Sequence, residues 1–162
     1  MTAKLGSAAR DKVVERLAGG SGINTGLAAM RAEAEQIPAE RIVAQNAGAE
    51  LAERSGATQY PAAAVYCEKV TNALTEKFRR FSGSVGMAVE VRHSQDRLAG
   101  LQEALESYAD AAGWVLETSR GDWGDGMFYD GRFQIAFLPV KRGGKNFLQS
   151  AKITFEIGVS RS

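Results

Sequence analysis

The stretch that decides how this chain is read runs from Phe128 to Val159. At its end Ala151, Ile153, Phe155, Ile157 and Val159 alternate with Lys152, Thr154, Glu156 and Gly158, the two-residue period of a strand with one buried and one wetted face. Upstream, Phe133, Ile135 and Phe137 alternate with Gln134 and Ala136 in the same way. Lys141-Arg142-Gly143-Gly144-Lys145-Asn146 lies between the two runs and reads as a turn. The stretch opens Phe128-Tyr129-Asp130-Gly131, and Asp-Gly there predicts a hairpin, because a type I′ turn needs φ > 0 at both central residues. The expectation is two long strands on whose apolar face the rest of the chain packs.

Working outward, Val85, Met87, Val89 and Val91 alternate with Gly86, Ala88 and Glu90 and predict a third strand, with Ser82-Gly83-Ser84 as the turn before it. Tyr60-Pro61 opens the folded body, and a strand is predicted from about Ala63, although Val70, Leu74, Phe78 and Phe81 also stand at helical spacing. Between Asp96 and Ala112 the residues Leu98, Leu101, Leu105, Tyr108 and Ala112 predict an amphipathic helix, capped by Ser94 or Asp96 and closed by Gly113. Trp114–Glu117 reads as a short strand and Arg120–Gly126 as a loop. Ser7–Leu17 reads as a helix with Ser7 as N-cap and Gly19-Gly20 as its stop.

Residues 19–59 differ in character: Ala, Glu and Gly dominate, and apolar anchors such as Ile23, Ile37 and Ile42 are thinly spread. They read as an extended arm that gains order against a neighbour, with short helices at Gly26–Gln36 and Glu50–Arg54. The predicted fold is therefore α+β in a single domain, residues 1–162. It comprises an N-terminal helix (1–18), the arm (19–59) and a body (60–162). The body is a mostly antiparallel sheet with a long C-terminal hairpin and one main helix on one face.

The chain has 162 residues, 44% hydrophobic and 24% charged, as in an ordinary globule. No apolar run approaches the ~20 residues that span a bilayer, so no membrane partner is expected. Met1–Leu5 lack the apolar core of a secretory signal, and a single cysteine, Cys67, forms no internal disulfide; both predict synthesis and folding in a reducing cytoplasm. Twenty basic and nineteen acidic residues argue against a protein that coats nucleic acid.

Catalytic and metal patterns are sparse. His93 is the one histidine, and Cys67 lacks the setting of a reactive thiol. There is no CxxC or HExxH, and Asp122 and Asp125 lack the further ligands of a calcium loop, so neither metal nor cofactor is predicted. A small enzyme or ligand site would have to use Glu90, His93 and Asp122. The stronger signals are surface signals. Trp123, Phe128 and Tyr129 are candidate interface aromatics in a glycine-rich stretch. Arg79, Arg80, Lys141, Arg142 and Lys145 are candidate contacts to a polyanion such as DNA in a channel.

Several segments resemble a family of tailed-bacteriophage virion proteins. They are Tyr60-Pro61 with Val65–Lys69, Glu76–Gly83, Glu90–Leu98, Arg120–Gly124 with Phe128-Tyr129, and Gly143–Gln149. The resemblance, over roughly Ser7 to Ser160, is to neck and tail-completion proteins and most of all to tail terminators. It implies a non-enzymatic α+β subunit in the tail–neck region of the virion. Such subunits form a ring, commonly six-fold, that caps the tail tube and docks the head. The implied partners are further copies of the chain, the tail-tube protein and neck or head-completion proteins. A head-completion role, as stopper or adaptor, is the alternative within the same class.

Overall fold

The computed structural model describes residues 4–46, 59–143 and 145–162. In chain order these form α1 (Leu5–Ala18), α2 (Ile23–Ala29), a single 3-10 turn (Ala39–Arg41), β1 (Ile42–Val43), β2 (Ala62–Asn72) and β3 (Phe81–Gln95). Then follow α3 (Leu101–Thr118), β4 (Gly121–Gly124), β5 (Met127–Tyr129), β6 (Phe133–Phe137), β7 (Lys141–Gly143) and β8 (Asn146–Arg161). The fold is α+β, as expected: a curled, mostly antiparallel sheet with helices on one face.

The alternation read from the sequence places β8 at the centre. One edge of β8 pairs with β3 from Phe81↔Arg161 to Gln95↔Phe147. Its other edge is lined in turn by β7, β6 and β5, each antiparallel to it. Residues 127–143 thus run as one interrupted strand against β8, and together the two make the long C-terminal hairpin. On the helix side Ala151, Ile153, Phe155, Ile157 and Val159 are buried, as are Val85, Met87, Val89 and Val91 of β3. Leu105, Tyr108, Ala112 and Val115 of α3 and Ala9, Val13 and Leu17 of α1 join the same core.

The other sheet face has no helix layer among the described residues. It carries polar groups matched in pairs: Lys152 with Glu68 at 3.0 Å, Arg92 with Glu90 at 3.0 Å, and Lys69 with Glu156 at 3.9 Å. β1 pairs in parallel with β2 at Ala63 and Ala64 alone, so farther along β2 meets no other described strand on that edge. The edge is blunted by charges at Glu68 and Lys69 and by a bulge between Cys67 and Lys69.

Several expectations are corrected. The turn predicted at Asp130-Gly131 does not join two paired strands. The Asp130 carboxylate accepts the Arg132 N–H at 2.9 Å and Gly131 takes φ 91°, a kink between β5 and β6 on one path. The two-residue hairpin falls one step earlier, between β4 and β5. There Asp125 and Gly126 both have positive φ (56° and 76°), so residues 120–126 are largely strand and turn rather than loop. Ser82-Gly83-Ser84 is not a turn but part of the first stretch of β3, paired with β8 throughout and with β2 at Gly83 and Ser84.

The main helix also begins and ends later than expected. Gln95 holds residues 96–100 in a loop by donating its Nε2 to the carbonyls of Arg97 and Ala99, and Leu98 is exposed. Gly113 sits inside α3, where a Cβ would lie 3.1 Å from the Phe133 ring; glycine allows that ring to approach. Trp114–Glu117 is helical because Val115 and Leu116 continue the buried stripe. α1 starts at Leu5 after Lys4, so Ser7 is not its cap.

Between residues 19 and 46 the segment read as an arm is anchored on its own chain. Ile23, Leu27, Ile37 and Ile42 are buried in the core. Asn24 clasps the strap before Pro38 from both sides, donating to Ile37 O at 2.9 Å and accepting from Ile37 N at 2.8 Å. The helical part is only Ile23–Ala29, shorter than the Gly26–Gln36 expected and shifted toward the N-terminus. The helix expected at Glu50–Arg54 lies outside the described residues.

Candidate interaction surfaces

The β3–β8 ribbon sets the geometry of the surface. Fifteen cross-strand pairs join its strands, a length of about 45 Å measured along the strand at ~3.3 Å per residue. At one end lies the β2–β3 connection, residues 73–80, and at the other the end of β7 and the start of β8. The basic residues singled out in the sequence divide between these ends. Arg79 and Arg80 lie on the connection, whereas Lys141, Arg142 and Lys145 lie at the other end, all exposed. One chain therefore presents two basic sites, not one patch.

Apart from Met30 at the end of α2, and with Val70 opposite Val85 on the first half of the ribbon, exposed large apolar residues follow the same division. Leu74, Phe78 and Phe128 lie toward the first end, and Leu98, Phe137, Leu138 and Val140 toward the second. Arg142 leans over the Phe147 ring at 5.5 Å. Arg79 is 3.7 Å from Glu76, and the Arg80 carbonyl accepts from Asn72 at 2.9 Å.

The three candidate interface aromatics separate. Trp123 is buried: its ring lies 5.5 Å from Tyr129 and 4.1 Å from the Arg16 guanidinium, and its Nε1 donates to Ser119 O at 2.6 Å. Tyr129 is fully buried, stands edge-on to Phe155 at 5.5 Å and donates its hydroxyl to Arg132 O at 2.9 Å. Burial, seconded by Asp130, pushes its phenol well above the usual range. Of the three, only Phe128 remains exposed.

Glu90, His93 and Asp122 do not form a common site. Glu90 points to the face away from the helices and pairs with Arg92, whereas His93 lies on the helix side against Tyr108, with ring centroids 5.5 Å apart. Asp122 accepts from the Gly124 N–H at 2.8 Å and stands, through Phe128 and Gly158, at the level of Ser84. Ser84 is nine residues from His93 along β3, about 30 Å. Cys67 is half-buried, and burial raises its thiol pKa. Among the described residues no group of three or more His, Cys, Asp or Glu side chains is placed to hold a metal ion, and no helix is long and apolar enough to cross a membrane.

Two features escaped the sequence reading. The first is Phe78, 99% exposed between Lys77 and Arg79, which the sequence reading noted only for its helical spacing from Val70 and Leu74. An aromatic flanked by cations within a polar connection was the available signal. The second is the outer face of α3, where Glu103, Glu106, Asp110 and Glu117 are exposed and no Lys or Arg occurs between Leu101 and Thr118. That asymmetry was legible from residue types alone. Neither a protein-family model nor a curated protein matches the chain.

Proposed function

We propose that this chain is a non-enzymatic structural protein of a tailed-phage virion, a tail terminator in the tail–neck region. Copies of it form a ring, commonly of six, that caps the tail tube and joins tail to head, with no cofactor or metal. The observation that carries this reading is the placement of exposed apolar and basic groups at both ends of one stiff ribbon. A subunit interposed between two different partners, the tail-tube protein and the neck or head-completion proteins, needs two such separated surfaces. The resemblance of the segments around Glu76–Gly83 and Gly143–Gln149 to neck proteins points the same way. The basic ends suit weak, sequence-independent phosphate contacts with DNA passing through the ring.

Electron microscopy of particles made without this protein tests the reading. Overlong or unjoined tails are the expected outcome. Heads that leak DNA while tails keep their normal length would assign the chain to head completion instead. Normal virions would end both assignments.

A further inference from the structure

The connection between β2 and β3 is an exposed finger held in a fixed shape. Every residue from Thr71 to Arg80 is exposed, and the Phe78 ring lies open to solvent. Yet the Thr75 N–H donates to Ser82 O at 3.3 Å, the Glu76 N–H donates to Ser82 Oγ at 2.9 Å, and the Ser160 hydroxyl donates to the Glu76 carboxylate. Leu74 and Phe78 are both kept at positive φ, 52° and 64°, where bulky side chains are strained. Lys77, Arg79 and Arg80 flank Phe78 in sequence, three positive charges against the one of Glu76, which lies 3.7 Å from Arg79. A rigid loop that presents an uncovered aromatic among cations has the form of a preorganised binding anchor.

The chain carries the complementary surface as well. Glu106, Asp110 and Glu117 lie on the exposed face of α3, and none is in an ion pair among the described residues. Burial and the nearby Glu106 raise the carboxyl pKa of Asp110, as expected where negative charge is not neutralised. On the same helix, Trp114, Thr118 and Ser119 line a cleft of about 590 Å³ together with residues at the C-terminal end of α1. Trp114, half-buried, supplies an apolar wall, with Glu15, Gly19, Ser21 and Thr118 around it. The C-terminal ends of both helices border the cleft, and the negative ends of helix dipoles favour cations nearby. Arg16 also borders it, but its guanidinium is stacked on Trp123.

The finger is tied through Glu76 to Ser160, on the sheet face away from the helices, whereas the cleft lies on the helix side. Finger and cleft that meet therefore belong to different molecules. We propose that the finger of one copy docks on α3 of a second copy of this chain, with Phe78 entering the cleft beside Trp114 and Lys77, Arg79 and Arg80 facing Glu106, Asp110 and Glu117. Such a contact is head-to-tail, the kind that closes into rings. It rests on the homo-oligomeric reading above and specifies the contact that builds it.

The test is the solution mass of the full chain by light scattering. It compares wild type, K77E/R79E/R80E, E106K/D110K/E117K and an equimolar mixture of the two variants. All six positions are exposed, and circular dichroism verifies folding. Wild type is expected to be several times 17.3 kDa. Each variant alone should associate at least tenfold more weakly, the mixture should recover the assembly, and Phe78→Ala should weaken it. An assembly of unchanged mass in both charge variants would overturn this contact and leave the ring reading standing. A wild type that is monomeric with and without tail-tube protein would remove the contact and the ring together. If the finger variant loses only the retention of a DNA duplex, its mass unchanged, the finger is a nucleic-acid contact and the proposal is wrong.

Discussion

The β4–β5 hairpin and the 73–80 connection lie at the same end of the sheet, and they treat their aromatic residues in opposite ways. Both are short and mostly polar, but Gly and Asp turn the hairpin, whereas residues 73–80 contain no Gly, Pro, Asn, Asp or Ser. The hairpin has α1 beside it: Lys12 donates to Trp123 O at 3.0 Å and pairs with Asp125 at 3.1 Å, while Arg16 covers the Trp123 ring. Tyr129 and Phe155 close the other side. No described residue covers Phe78. An aromatic in a polar connection thus becomes internal structure or stays exposed according to whether another segment reaches it. Local composition does not decide which.

The largest expected effect tests the covered side. Tyr129→Ala removes ring contacts to Trp123 and Phe155 and leaves a cavity, at a cost of about 3–5 kcal/mol by analogy with other buried aromatics. Phe78→Ala should change stability by less than about 0.5 kcal/mol, because its side chain touches nothing in the fold. Urea midpoints of the two variants check the contrast. Equal destabilisation would erase it.

A sharper version puts stability and assembly in opposition at one residue. Phe78→Gly removes the penalty of a left-handed side chain, so the isolated chain should gain up to about 1 kcal/mol. The same change deletes the proposed anchor and should weaken self-association. A glycine variant that loses stability would mean the φ of 64° is not strained in solution.

How much of this was legible depends on how local the cause is. The β8 alternation and that of β3 announced themselves, since a buried strand face is written in consecutive residues. The extent of α3 was less plain. Gly113 looks like a terminator until Phe133, twenty positions away, is seen packed against it. Residues 19–46 looked unanchored because each buried residue is isolated in sequence, and Ile37 gains its place through Asn24 and core partners far along the chain. Trp123 and Tyr129 were read as surface aromatics for the same reason, although both are buried. Trp123 is covered by α1, more than a hundred residues earlier, and no turn propensity reports that contact.

The smallest effect concerns a third aromatic setting, the covered pair His93 and Tyr108. Burial lowers the imidazole pKa from 6.5, opposed by Glu35, and raises the phenol from 10.0 to about 12, aided by Glu35. Both shifts favour the neutral ring. For His93 the stabilising contribution is complete above the unfolded value of 6.5 and is lost as pH falls through it toward the lower folded value. For Tyr108 it is complete below 10 and lost as pH rises toward 12. The fold should therefore be most stable between these limits, with His93→Gln flattening the acid limb and Tyr108→Phe the alkaline one. Melting temperatures at pH 5, 7.5 and 11 check both limbs. An acid limb that is as steep in His93→Gln as in wild type would assign the titration to other groups, and would leave the His93–Tyr108 contact as packing alone.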